Sequence, residues 1–434
     1  MGSTAARPLS RSDAPAALPP ATLAQHSRNS LILAILRASR LESYSCSSHR
    51  PARSTKHSTS PQDHRGRGGG GCPLRTAAPN CSRWNNFSPN RAALVRAQCI
   101  LSLLLASIAF PACAATLDHI RQTKTLRCGI NQETPEYSTS DDHGARQAFD
   151  ADICKAVAVA ILGPNARTTL VPYPDDVAAM AALPTGKVDL VPTLTLDLKH
   201  SANAGIVFSP PLLYDGVGFL VPLSASLTHA AELSDRKVCF LAETEVEAAL
   251  RAWFSRQPTQ PNLTFVPFPF QEEGEMEAAF TTGNCTALAG DLTRLASTRV
   301  AFGPLSARYT LLPEQISKDP LAAASRAGDP AFAAIVRWTI EILLQAEESG
   351  LTRQNIAAAP TSSDPTVAIL TGQTREIGAR LSLDNAWATR VIAAVGNYGE
   401  IYDRDLGDQS PLKLPRALNR LYTQGGLMYP LPLK

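Results

Sequence analysis

FDADICKAVAVAIL, residues 149–162, decides the fold, because it must be either a helix or a strand. Ile153, Ala156, Val157, Ala160 and Ile161 recur at i, i+3, i+4, i+7 and i+8, one apolar face of a helical period, whereas a strand would alternate. The segment is therefore a helix. Before it, TLRCGIN (125–131) reads as a strand. After it come TTLVPY (168–173), a strand, DDVAAMAAL (175–183), a short helix stopped by Pro184, and KVDLVPTL (187–194), a third strand. A β-α-β-α-β order implies a mainly parallel sheet with helices on its faces, an α/β fold.

The scheme then recurs. RKVCFLA (236–242) reads as strand, TEVEAALRAWFSR (244–256) as helix, LTFVPF (263–268) as strand, EGEMEAAFTTG (273–283) as helix and CTALAGD (285–291) as strand. A glycine precedes the third strand in both halves, Gly186 in one and Gly283 in the other. Two similar α/β lobes in series are the simplest account, with GFLVPLSAS (218–226) as the first link. After LLPEQISKDPL (311–321) the pattern turns helical, and AFAAIVRWTIEILLQAEESG (331–350) is a long helix that can return to the first lobe.

The 434 residues are 44% hydrophobic and 18% charged, ordinary for a globular chain of two or three domains. Charge divides the chain. Residues 1–114 hold 14 Lys+Arg against 3 Asp+Glu, while residues 115–434 hold 27 against 35. An acidic main part argues against a nucleic-acid partner. Residues 1–94, with HRGRGGGGC (64–72) and little apolar periodicity, read as a disordered or mis-started extension; a basic nucleic-acid-binding tail is the alternative. In RAALVRAQCILSLLLASIAFPACAATLD (91–118), Arg91 and Arg96 precede an apolar run over 99–110 and the small-x-small site Ala112-Cys113-Ala114. That is a secretory signal layout, so residues 95–114 are expected to be a signal peptide directing the chain to the periplasm, with a start near Val95. A buried core helix is the structural alternative, and FPAC (110–113) also offers a weak lipoprotein site.

Export changes the reading of the nine cysteines, since an oxidising compartment favours disulfides. Cys128, Cys154, Cys239 and Cys285 follow the signal, and they show no C-x-x-C or Cys/His clustering, so no metal site is expected. Neighbourhood pairs Cys128 with Cys154 and Cys239 with Cys285; free buried thiols are the alternative. There is neither a phosphate-binding G-x-x-x-x-G-K-S/T loop nor a G-x-S-x-G nucleophile elbow, and no cofactor is expected.

From residue 116 onward the chain resembles the periplasmic amino-acid-binding proteins of ABC importers, in the branch that handles a broad range of L-amino acids. FDADICKAVA, YDGVGFLVP, VCFLAETEVE, PEQISKDPL, IVRWTIEILLQAEESGLT, LDNAWATRVIAAVGNYGEIYDRDLG and LNRLYTQGGLMYPLP carry the resemblance. It implies a two-lobed type II binding protein with two crossover strands and hinge closure over a ligand. The expected division is 115–221 for the first part of lobe 1, 222–317 for lobe 2, and 318–434 for the completion of lobe 1 with a helical C-terminal extension. The resemblance also implies one disulfide per lobe, delivery of the ligand to a membrane permease, and a monomer.

An amino acid brings an ammonium and a carboxylate, so an enclosed site needs a fixed anion and directed donors. Asp291, ending a strand, matches the family's ammonium-binding acid; capping the next helix is its structural alternative. Thr244, with Glu247 three residues on, carries a capping-box signature whose free amides suit a carboxylate. Ala242-Glu243-Thr244-Glu245 stands where the family has Gly-Thr, so Glu243 or Glu245 would repel that carboxylate if either faced the cleft. The family's carboxylate-clasping arginine aligns with His200, next to Lys199; neither reproduces its planar fork. Thr193 and Thr195 are candidate hydroxyl donors. Tyr137 aligns with the aromatic that covers the ligand, beside Glu133 and Glu136. Asp152 is read as fixing a helix start. The expected function is capture of an amino acid or related small polar ligand for an ABC transporter. A ligand sensor for a membrane receptor and a cyclohexadienyl dehydratase-like enzyme on the same fold are the alternatives.

Overall fold

A computed structural model describes residues 115–131, 139–140, 146–147, 149–256, 263–359, 362–374 and 377–433. The expected extension (1–94), the signal segment (95–114), Glu133, Glu136 and Tyr137 lie outside the described residues.

Helix α1 (Thr116–Thr123) leads through Lys124, in the left-handed conformation, into β1 (Thr125–Asn131). The short strands β2 (Thr139–Ser140) and β3 (Arg146–Gln147) pair with each other. They precede α2 (Phe149–Leu162), β4 (Arg167–Tyr173), α3 (Asp176–Ala182), β5 (Leu190–Thr195), α4 (Leu198–Ser201) and β6 (Ile206–Asp215). The second half runs β7 (Val217–Pro222), β8 (Lys237–Leu241), α5 (Val246–Ser255), β9 (Val266–Phe270), α6 (Glu273–Thr281), β10 (Ala287–Asp291), α7 (Leu292–Ala301) and β11 (Tyr309–Leu311). The chain then returns through β12 (Asp319–Arg326) to α8 (Pro330–Glu348), α9 (Pro365–Leu370), α10 (Ile377–Arg380), α11 (Trp387–Val395) and α12 (Tyr398–Asp405).

Two five-stranded sheets result, ordered β4-β1-β5-β12-β6 and β11-β7-β10-β8-β9. In the first, β1 runs parallel to β4 and β5, while β12 is antiparallel to both β5 and β6. In the second, β8 is parallel to β9 and β10, and β7 is antiparallel to β10 and β11. Each sheet is thus a β-α-β-α-β unit plus strands from the crossovers. Gly186 and Gly283 take positive φ of 70° and 81° in the turns before β5 and β10. An L side chain would be strained there.

The first-lobe core joins Leu126, Phe149, Ile153 and Val157 to Phe332, Ile335, Trp387, Val391, Tyr398 and Tyr402. The long helix and the C-terminal segment therefore share one core with the first sheet. The second lobe buries Phe219, Val238, Phe240, Leu250 and Phe254 in a core of its own. Cys128 on β1 bonds Cys154 on α2, with Cα atoms 6.3 Å apart, and Cys239 on β8 bonds Cys285 ahead of β10, with Cα atoms 5.9 Å apart.

The first crossover lies earlier than the sequence places it. Residues 218–222 belong to β7, paired with β10 through Leu220↔Leu288 and Val217↔Asp291, and Phe219, Leu220 and Val221 are fully buried. Sheet membership changes at Gly216, so the first part of lobe 1 ends there and not at residue 221. At Gly216 an added Cβ would stand 2.7 Å from the Ser317 carbonyl oxygen on the returning crossover. The two crossovers are stitched together there: Val217 N donates to Ser317 Oγ at 2.8 Å, and Ile316 N donates to Val217 O at 2.7 Å.

Candidate functional site

Parallel α/β sheets gather ligands beyond the C-terminal ends of their strands. Here Asn131 ends β1, Thr193 and Thr195 end β5, and Asp291 ends β10. Asp176 opens α3, Thr293 and Arg294 open α7, and Asp215 and Asp319 flank the crossovers as register partners. With Leu321, these residues line a cavity of about 190 Å³ between the lobes. That is below the roughly 300–1,000 Å³ of drug-sized sites. It suits a small molecule.

Asp291 occupies the N-cap position of α7, yet its side chain makes no capping hydrogen bond. Asp215 caps the helix instead, from the neighbouring crossover. Its Oδ1 accepts Gly216 N at 2.7 Å and Leu292 N at 3.1 Å, and its Oδ2 accepts Thr293 N at 3.4 Å and the Thr293 hydroxyl. Asp291 thereby stays turned to the cavity. Arg294 Nη1 donates to Glu273 Oε1 at 2.6 Å.

The hydroxyl protons are committed too. Thr193 Oγ1 donates to Asp150 Oδ1 at 2.8 Å, and Thr195 bonds the carboxylate of Asp319. A hydroxyl has one proton, so both threonines present lone pairs to anything in the cavity. Asn131 Nδ2 donates to Asp176 Oδ1 at 3.0 Å. The carboxylates also strain one another. Burial, then the charge of Asp291, pushes Asp215 up to about 7. Burial pushes Asp319 up to about 6, helped by Asp291, Asp176 and Glu245, although the Thr195 hydroxyl opposes the shift. Asp291 is raised by burial and Glu245, against the opposing charge of Arg294.

Of the residues singled out from sequence, the structure brings Asp291, Thr193 and Thr195 together in the cavity wall. Lys199 is exposed on α4, and His200 Nδ1 pairs with Asp197 Oδ1 at 2.7 Å; neither lines the cavity. Their four-residue helix is capped by Asp197, which accepts His200 N at 2.7 Å and so holds His200 to its own turn. Thr244 is likewise outside the lining, and its capping box does not form. Helix α5 begins only at Val246, because Glu243 at φ 62° makes a turn that aims the Thr244 hydroxyl at Leu241 O, 2.7 Å away. Glu247 instead pairs with Arg251 at 2.6 Å. Glu243 and Glu245 are exposed, although Glu245 adds its field to Asp291 and Asp319. Asp152 is bound by Arg404.

Sequence reasoning missed Asn131, Asp176, Asp215, Arg294 and Asp319. Arg294 had a readable signal, three residues beyond Asp291 in the first turn of a helix. Asp215 and Asp319 had none in their own segments, since only the pairing of the crossovers brings them to the site.

No family model matches the chain. It is 35% identical over 333 residues to the glutamate/glutamine/aspartate/asparagine-binding protein BztA of Rhodobacter capsulatus, covering 76% of this chain and 97% of that one. It is 34% identical over 334 residues to the general L-amino acid-binding periplasmic protein AapJ of Rhizobium johnstonii, covering 76% and 96%. Among solved structures, a periplasmic binding protein of an ABC transporter from Brucella ovis, with glutathione bound, superposes with a TM-score of 0.64 at 33% identity, covering 74% of this chain and all of that one.

Proposed function

The chain belongs to the periplasmic amino-acid-binding proteins of ABC transporters, and from that premise we propose that its inter-lobe cavity holds an amino acid or related small polar ligand by an ammonium group at Asp291. One observation carries this reading: Asp291 ends a central strand, lines the cavity, and is relieved of helix capping by Asp215. A carboxylate left out of helix capping at a strand end is a fixed anion for a cationic nitrogen. Lobes 115–216 with 318–434, and 217–317, close on the ligand as two jaws. The loaded protein, a monomer in the periplasm, delivers its ligand to the permease.

The test is a thermal-shift series on the full chain with a panel of amino acids. A ligand at a hundred times its Kd adds about 2.7 kcal/mol to folding stability, a readable shift in Tm. Asp291→Ala is expected to abolish that shift. An unchanged shift in the variant removes Asp291 from the site. The cavity is read as a binding site and not a catalytic one, so no turnover of the stabilising ligand is expected under the same conditions.

A further inference from the structure

Among the described residues lining the cavity stand four carboxylates, those of Asp176, Asp215, Asp291 and Asp319, and one guanidinium, that of Arg294. The carboxylates follow a path across the cleft. Asp176 belongs to the first lobe, Asp215 and Asp319 face each other on the crossovers, and Asp291 belongs to the second lobe. Arg294 is paired with Glu273, and Asp215 is engaged by the start of α7. Asp319 is different. Its Oδ1 is buried and has no hydrogen-bond partner. A buried acceptor left unmet is costly unless a donor arrives from elsewhere.

The hydroxyls point to the same chemistry. Thr193 and Thr195 donate to carboxylates, so toward the cavity they can only accept. A ligand carboxylate would meet lone pairs and negative charge on most sides. Cationic nitrogens would meet acceptors. We infer that the cleft takes a compact ligand with two cationic nitrogens joined by a short aliphatic spacer, one nitrogen at Asp291 and the other at Asp319 and Asp176. Leu321 supplies apolar contact for the spacer. Basic amino acids and α,ω-diamines both have this chemistry. The cavity, about 190 Å³, is small and calls for a compact ligand. The inference rests on the reading of this cleft as the ligand site, and it narrows that reading to a charge class.

Titration calorimetry on the full chain at pH 8 tests it, with L-lysine, L-ornithine, 1,4-diaminobutane and 1,5-diaminopentane set against L-glutamine and L-glutamate. At least one dicationic compound is expected to bind about tenfold or more tightly than glutamine, with glutamate weakest. Binding of the amino acids alone assigns their carboxylate to Arg294; binding of the diamines alone or of both classes assigns it no partner. All three results uphold the inference. Asp319→Asn keeps the shape of the side chain and is expected to weaken dication binding about ten- to a hundredfold, with a smaller effect on any glutamine binding. Dication affinity is also expected to fall from pH 8 to pH 5.5, as Asp319, faced by Asp291, Asp176 and Glu245, and Asp215, faced by Asp291 and Asp319, take up protons. Glutamine or glutamate binding as tightly as every dication overturns the charge class and leaves an amino-acid site standing. Absence of binding by all six compounds overturns both readings.

Discussion

Asp215 and Asp291 lie side by side at the start of α7 and divide two tasks between them. Asp215 satisfies the amides of Leu292 and Thr293 and the Thr293 hydroxyl, all in a buried setting. Asp215→Ala is therefore expected to cost about 2–4 kcal/mol of stability, seen as a lower Tm of the ligand-free protein. Asp291→Ala removes a carboxylate that burial and Glu245 already disfavour, so its ligand-free Tm is expected not to fall. Equal losses in the two variants would contradict the division. The raised groups also set a pH dependence. Asp215 and Asp319, up to about 7 and about 6 from an ordinary 3.8, hold protons in the folded state that the unfolded chain has already released. Their contribution to stability is full below about pH 4 and is lost as pH rises through 6 and 7. Asp319→Asn is expected to flatten the decline in ligand-free Tm between pH 5 and pH 8, and an equally steep decline in the variant would show that other groups cause it. At this scale the position of Asp291, at the end of a strand and in the cavity wall, was legible. His200 misled because a cation near a strand end says nothing of its direction, and here Asp197 turns it into its own short helix.

At the scale of elements the sequence was more legible. The helical period of 149–162 and the alternation of strands and helices in both halves correspond to α2 and to the two parallel units. Local pattern could not reveal where one sheet stops and the next begins. GFLVP is an apolar run compatible with either, and only its pairing to β10 assigns it to the second lobe. The same limit applied to α5, where the left-handed Glu243 delays the helix past the expected cap. The disulfides staple β1 to α2 and β8 to the segment before β10, closing loops of separation 26 and 46. On the chain-entropy account each is worth roughly 3 to 4 kcal/mol. Replacing either pair with serines is expected to lower Tm while leaving ligand preference as it was, because none of the four cysteines lines the cavity. A changed ligand order in either double variant would link the staple to the site.

Across the whole molecule, the C-terminal extension packs into the core of the first sheet. Arg416 clasps Glu347 with Nη1–Oε1 at 2.6 Å and Nη2–Oε2 at 3.1 Å, over the rings of Tyr398 and Tyr402. Arg404 binds Asp152 on α2, and Leu431 N donates to Glu341 Oε2 at 2.7 Å. Truncation after residue 359 would expose the α8 face that packs on Trp387, Val391 and Tyr398, and it is expected to yield aggregated protein. A soluble, ligand-responsive truncation would show that lobe 1 is complete without the extension. The extension also reaches the other lobe, since Arg299 on α7 donates to the Leu412 carbonyl. Helix α7 is consequently moored to lobe 1 at both termini, by Asp215 at its start and by Leu412 near its end. Packed on β7, β10 and β11 as well, this rod is tied to both sheets at once, so any parting of the two would load its two ends together.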